Sequence, residues 1–351
     1  MAEVKKGRGA GFNPANRFEP MRLELLEDFS DDKPAVTTQF FIDSTREIMA
    51  RNDSPDVPFT YSINPYRGCE HGCIYCYARP THEYLGFSAG LDFESKILVK
   101  PEAPRLLEEA FLRKSWQPQV IALSGNTDAY QPIERELQLT RRCLEVFLKY
   151  RNPVGMITKN HLITRDVDLL RQLAALDLVN VHISITTLDP GLARIMEPRA
   201  SAPARRLEAV EVLAANRIPV GVNAAPLIPG LTDEELPSIL RESAARGARS
   251  AAYILVRLPG AVEPLFLDWL QRELPERAPK VLGRLRDLRH GKLSDSRFGS
   301  RMRGEGKLAE SIRALFNLSC KKYGLNQSRF ELSTRHFTRG GPAQLQLSLE
   351  E

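Results

Sequence analysis

Short apolar runs rich in β-prone residues alternate along this chain with longer stretches whose apolar positions repeat at helical spacing. From about residue 59 the short runs are Thr60–Asn64, Val120–Ser124, Val154–Thr158, Val179–Thr186, Pro219–Pro226 and Ala251–Leu258, and each predicts a strand. The longer stretches predict helices. Pro101–Arg113 opens with Pro-Glu, a good first turn, and Glu134–Tyr150 carries Leu137, Leu144, Phe147 and Leu148 on one face. Arg165–Leu176, Ala204–Asn216, Asp233–Arg246 and Val262–Glu273 complete the series. Thr232 with Glu235 predicts a capping box ahead of the fifth helix. Six β-then-α units in series imply parallel strands with right-handed crossovers. Runs such as Val154-Gly-Met-Ile-Thr158 are apolar on both faces, as in a sheet covered by helices. An open doubly wound sheet and a full or partial (β/α) barrel both satisfy the pattern. Both place chemistry at the carboxyl ends of the strands.

The regular pattern has edges. Residues 1–58 read as an N-terminal extension, partly flexible, and residues 59–274 as the α/β core. Beyond 274 the rhythm stops: Lys280–Arg289 and Leu308–Lys322 predict helices, with the basic loop Ser296–Gly304 between them. Residues 275–340 form a helical, basic C-terminal segment that should cap or flank the core, and 341–351 a tail.

Composition narrows the class. Hydrophobic residues make up 42% of the 351 and charged residues 26%, which is ordinary for a globular protein and excludes wholesale disorder. No apolar run reaches the ~18–20 residues of a membrane span. The start, Met1-Ala-Glu-Val-Lys-Lys, lacks the apolar stretch of a secretory signal. The expectation is a cytoplasmic protein with no membrane partner. Net charge is +5, yet residues 275–340 hold 16 Lys and Arg against 6 Asp and Glu. A basic segment on a mildly acidic body suits a polyanion such as nucleic acid, and equally a solvated helical surface.

Three of the five cysteines fall within eight residues, in Cys69-Glu-His-Gly-Cys73-Ile-Tyr-Cys76, after the first predicted strand. An odd cysteine count argues against a disulfide framework. Three thiolates on one loop can hold a zinc ion with a fourth ligand, His71 or His82 being nearest, or a [4Fe–4S] cluster with one iron left open. The two histidines read more readily as loop supports. Cys143 and Cys320 lie in apolar helical patterns and read as buried small residues.

The C-x3-C-x2-C spacing with Tyr75 before the last cysteine, followed by six β/α units, resembles the radical SAM superfamily over roughly residues 59–260. Cys69–Ala78 together with Thr127-Asp-Ala-Tyr-Gln-Pro-Ile-Glu134 is similar to the branch related to spore photoproduct lyase. The resemblance implies a partial (β/α)6 TIM-type barrel and a [4Fe–4S] cluster on Cys69, Cys73 and Cys76. S-adenosylmethionine (SAM) would chelate the open iron, and its reductive cleavage would give a 5′-deoxyadenosyl radical that takes hydrogen from a substrate. It further implies a reducing partner of flavodoxin or ferredoxin type. Spore photoproduct lyases carry a hydrogen-donating cysteine at the end of the second strand. Ala122-Leu-Ser-Gly-Asn-Thr-Asp128 has none, so the resemblance reaches the branch and not lyase activity proper. The alternative is a non-catalytic iron–sulfur or zinc binding module.

On the same resemblance, the strand-end polar residues become cofactor candidates. Tyr75 would pack near the adenine. Gly125, Thr127 and Asp128 would meet the SAM amino end, and Lys159 its carboxylate. Ser184 and Thr186 alternate on the fourth strand and so share a face, which suits ribose or carboxylate. Asn223 would reach ribose or adenine. Tyr130, Gln131 and Glu134 are candidates for substrate contact, and Arg297, Arg301 and Arg303 for salt-dependent phosphate contact.

Overall fold

The computed structural model describes residues 7–18, 36–328 and 330–339. Six strands form in the expected places: β1 (Tyr61–Ile63), β2 (Ile121–Leu123), β3 (Val154–Thr158), β4 (Val179–Ser184), β5 (Val220–Leu227) and β6 (Ser250–Leu255). They are hydrogen-bonded parallel in chain order, and Met49–Arg51 adds an antiparallel strand beside β1. The two edges, β6 and Met49–Arg51, do not pair with each other. The architecture is therefore the partial barrel, open on one side.

The two faces of the strands differ more than their composition suggests. Val154, Met156, Val179, Val181, Ile183, Val220 and Val222 are buried against the helices in one continuous core. The alternate residues are small or polar. Register places Gly155 beside Asn180, His182 beside Gly221, and Ser184 beside Asn223. Most of them are only partly buried, and Ile157 is 42% exposed. The barrel interior is thus an open cleft and not a plug of interdigitated side chains. Gly221 leaves no room for a side chain: a Cβ there would sit 2.2 Å from the Ser250 hydroxyl oxygen.

The helices follow the apolar periodicity with shifted ends, at Ala103–Leu112, Val167–Ala174, Pro203–Ala215, Leu236–Ala245 and Val262–Glu273. Glu134–Tyr150 is not one helix. Gln138 takes the left-handed conformation (φ 51°) and splits it into Glu134–Leu137 and Leu139–Tyr150. The capping box is not formed either. The Thr232 hydroxyl accepts from the Ile228 N–H (2.9 Å), and Glu235 accepts from Thr187 Oγ1 (2.5 Å) and the Leu188 N–H (2.7 Å). Glu235 thereby ties the start of this helix to the loop after β4.

A small second sheet, absent from the sequence reading, joins Gln39–Ile42, Lys96–Val99 and Tyr66–Arg67. Beyond residue 274, helices Ala278–Asp287 and Gly306–Tyr323 flank the barrel, with the short helix Ser300–Arg303 in the basic loop. Ala309, Ile312, Phe316 and Cys320 extend the main core, and the Phe316 ring lies 4.8 Å from that of Tyr253 on β6. The expected tail, 341–351, lies outside the described residues.

Candidate active site

The cysteine loop follows β1 and crosses the carboxyl end of the barrel. It is held from several directions. The Cys69 N–H donates to Phe93 O (2.9 Å) and the Ile74 N–H to Met196 O (3.0 Å). Arg79 is fully buried, donates to the carbonyls of Cys73 (3.0 Å) and Gly72 (3.3 Å), and pairs with Glu94 (2.5 Å). Glu94 in turn accepts from the N–H groups of Gly9 (3.0 Å) and Ala10 (2.8 Å). Residues 7–18 of the extension are therefore bound to the loop. Gly9 approaches so closely that a Cβ would lie 2.0 Å from Gly72 O, while Gly72 sits at φ +65°.

This loop and the ends of the strands enclose a cleft with about 980 Å³ of empty space, open to solvent at its mouth. Cys69, Cys73, Tyr75, Cys76, Gly125, Thr127, Asp128, Lys159, Ser184 and Asn223 all line it. The three cysteines are free thiols. Burial, and for Cys69 the neighbouring Asp128 and the other two cysteines, push all three thiols above the usual range. Grouped thiols that resist ionisation alone are a donor set for a cationic centre, which would hold them as thiolates. Among the described residues no three His, Cys, Asp or Glu side chains close around a single ion. Three sulfurs bordering one cleft suit a polynuclear cluster that spans them.

The polar residues divide into those already engaged and those open to a ligand. Asp128 is engaged: it accepts from Thr158 Oγ1 (2.7 Å), the Lys159 N–H (2.7 Å) and the Tyr130 N–H (2.9 Å), and faces His71 Nδ1 at 3.4 Å. Burial opposes its ionisation, but His71 and these donors outweigh burial and hold the carboxyl down at about 2. Asp128 orders the loops around the cleft. Thr127 donates to Tyr66 O (3.1 Å). Gly125 is packed against Ser62, where a Cβ would meet two atoms at 3.1 Å, and its carbonyl accepts from the Tyr77 hydroxyl (2.5 Å).

Lys159 is open. Its ammonium reaches only Ala225 O, at 3.5 Å, and lies 5.8 Å from the centre of the Tyr75 ring. It has no carboxylate partner among the described residues, and burial first of all lowers its pKa. Ser184 and Asn223 stand side by side with no side-chain hydrogen bond among the described residues. The ammonium, hydroxyl and amide together can receive a carboxylate and a polar ring substituent.

Thr186 is engaged elsewhere. β4 ends at Ser184, so the two-residue alternation does not carry Thr186 into the cleft. Its hydroxyl donates to Glu197 (2.7 Å) in a buried network with Tyr75 OH and Arg206. Tyr75 therefore faces the cleft with its ring and the network with its hydroxyl. Tyr130 donates to Asp166 (3.0 Å), Gln131 accepts from the Glu70 N–H (2.9 Å), and Glu134 accepts from Tyr66 OH (2.5 Å). Gln131 supports the cysteine loop directly, and all three side chains are engaged within the protein. His82, fully buried, holds Lys96 O at 2.9 Å through Nε2 and is no ligand. Cys143 is buried away from the cleft. Tyr77, Pro226, Ile254 and Arg257 line the cleft and were not found from sequence. Tyr77 abuts the last cysteine, a signal that was there to use. Arg257 has no such mark.

Residues 63–242 match the family described as the Radical SAM superfamily. An uncharacterised protein of Mycobacterium tuberculosis is 36% identical over 234 residues, which is 66% of this chain and 68% of that protein. An uncharacterised protein of Methanocaldococcus jannaschii is 31% identical over 175 residues, 50% of this chain and 63% of its own. Among solved structures, spore photoproduct lyase complexed with dinucleoside spore photoproduct has a similar fold, with a TM-score of 0.58 at 15% identity over 82% of this chain and 80% of that one.

Proposed function

Because the chain belongs to the radical SAM superfamily, and membership implies an enzyme built around a [4Fe–4S] cluster and SAM, we propose that this cleft carries out SAM-dependent radical chemistry on a substrate bound at its mouth. The observation that carries the reading is the meeting of three cysteines with an uncompensated Lys159 ammonium in one cleft at the carboxyl ends of six strands. When bound, the cluster supplies one electron to the sulfonium of SAM, and the cofactor supplies the radical.

The chain's own residues then have distinct tasks. Cys69, Cys73 and Cys76 would hold the cluster as thiolate ligands. Lys159 receives the SAM carboxylate by a charge-assisted bond. Ser184 and Asn223 take the ribose or adenine edge, and the Tyr75 ring forms a wall. Asp128 acts indirectly, by fixing His71, Thr158 and the backbone of Lys159. The buried Glu197–Arg206 pair fixes Tyr75. The apolar walls, Ile157, Pro226, Ile254 and Leu255, exclude water from a reactive intermediate. The electron comes from a flavodoxin- or ferredoxin-type donor.

Nucleic acid enters this reading with less support from the basic segment than its composition gave. Arg297 pairs with Asp295 (2.8 Å) and Glu305 (2.9 Å), Arg301 with Asp56, and Arg303 lies 4.6 Å from the centre of the Tyr253 ring. Two of the three arginines expected to meet phosphate already have a carboxylate partner.

The test is anaerobic reconstitution with iron and sulfide, chemical reduction, addition of SAM and assay for 5′-deoxyadenosine. The parent chain should form it, and the Cys69→Ala, Cys73→Ala, Cys76→Ala triple variant should not. Stoichiometric zinc with no iron–sulfur absorbance would replace this reading by a binding module.

A further inference from the structure

The mouth of the cleft holds an excess of positive charge that the cofactor assignments do not use. Arg257 follows β6, lines the cleft, and places its guanidinium 5.7 Å from the centre of the half-exposed Tyr77 ring. It makes no hydrogen bond and no ion pair among the described residues. Arg289 stands behind it, only 3% exposed. Its Nη2 donates to Val256 O, the carbonyl immediately before Arg257. Its Nε and Nη1 are buried without a hydrogen-bond partner among the described residues.

The nearby carboxylates are committed elsewhere. Asp56, which faces Arg257, is taken by Arg301 and by the Gly299 N–H (2.7 Å). Asp295, which faces Arg289, is bound bidentately by Arg297 and also accepts from Ser300 Oγ (2.9 Å). Two guanidiniums are left over, one lining the cleft and one buried behind it. Burial lowers the pKa of both, and like charge adds to it, from Arg301 on Arg257 and from Arg257 on Arg289. Uncompensated buried charge destabilises a fold, so the arrangement is explained by an anion that arrives from outside. A planar fork matches the paired oxygens of a carboxylate or a phosphate alike, and a second positive charge behind it favours the phosphate ester, which carries about −1.5 to −2 charge. Lys159 is set apart, over the Tyr75 ring, whereas Arg257 lies over that of Tyr77.

We propose that Arg257, backed by Arg289, forms a phosphate subsite at the mouth of the cleft, so that the substrate of this enzyme carries a phosphate ester next to the position of hydrogen abstraction. This rests on the cleft being the SAM site and deepens that reading by naming the substrate's class. The ester can belong to a small phosphorylated metabolite or to a nucleic-acid backbone.

The probe is inorganic phosphate, titrated at constant ionic strength against the full chain and followed by 31P line broadening. The parent should bind it saturably. Arg257→Gln should weaken binding at least tenfold, Arg257→Lys should restore part of it, and thermal melting should show that both variants fold. Binding that is equal in parent and Arg257→Gln overturns the proposal. So does the absence of saturable binding, or loss in Lys159→Gln with retention in Arg257→Gln. AMP and single-stranded DNA, titrated in parallel, identify the source by which of them loses affinity in Arg257→Gln. The measurement needs no SAM turnover, so the radical reading and the phosphate subsite fail separately.

Discussion

His82 shows how one buried side chain sets a pH limit on the loop that carries the cysteines. It is fully buried between Phe87 and Phe93, bonded to Lys96 O, and burial lowers its pKa to about 4. The unfolded chain binds that proton near pH 6.5. Neutral His82 therefore costs nothing above about pH 6.5, and stability falls as pH drops from there toward 4, by about 3 kcal/mol in all. Urea unfolding at pH 7, 5 and 4 should show this decline, and His82→Gln should flatten it. An equal decline in the variant would assign the effect to another group. Residue identity at the site was largely readable from sequence, because three cysteines at fixed spacing announce themselves. The bond from Thr186 to Glu197 was not legible, since strand alternation says nothing past the last ladder bond. Arg257 was invisible, since its meaning depends on which carboxylates its neighbours have taken.

At the scale of elements, the docked arm is the finding with the clearest consequence. Gly9 and Ala10 give their N–H groups to Glu94, whose carboxylate also neutralises the buried Arg79 beneath the cysteine loop. Glu94→Gln removes the counter-charge of a buried guanidinium and should cost about 3–5 kcal/mol in chemical denaturation. Gly9→Ala is narrower. Its Cβ would collide with Gly72 O, so the arm should undock, with faster proteolysis near residues 7–18 and lower iron content after reconstitution. Iron content and proteolysis equal to the parent would show the arm to be dispensable. Nothing in the arm's sequence marked it as bound: it docks through its own backbone N–H groups onto a glutamate some 85 residues away. The helices were legible because amphipathic spacing is local. Gln138 and Glu235 escaped because a left-handed break and a tertiary carboxylate contact are not.

For the whole molecule, the open cleft makes stability depend on the ligand. A ligand that binds only the folded chain at 100 times its Kd adds about 2.7 kcal/mol. SAM added to the reconstituted chain should therefore raise its melting temperature. In Lys159→Ala the rise at the same SAM concentration should be smaller, because a charge-assisted bond of about 1.5–3 kcal/mol is lost. An equal rise in both would remove Lys159 from the SAM site. No helix among the described residues is long and apolar enough to cross a membrane.

The sequence by itself determined the α/β class, the six strands and the cysteine loop at the carboxyl end of the first. These follow from local periodicity and from motif spacing, which act over a few residues. The tertiary structure decided between the doubly wound sheet and the partial barrel, and lined the barrel's inner face with small and polar residues beside the apolar Ile157 and Ile254. It decided that Asp128 and Thr186 are engaged while Lys159, Ser184 and Asn223 are available. It also decided that Arg297 and Arg301 of the basic segment are paired with carboxylates while Arg257 and Arg289 are not. Whether a charge or hydroxyl is free is a balance among groups far apart in sequence, and only folding brings that balance into being.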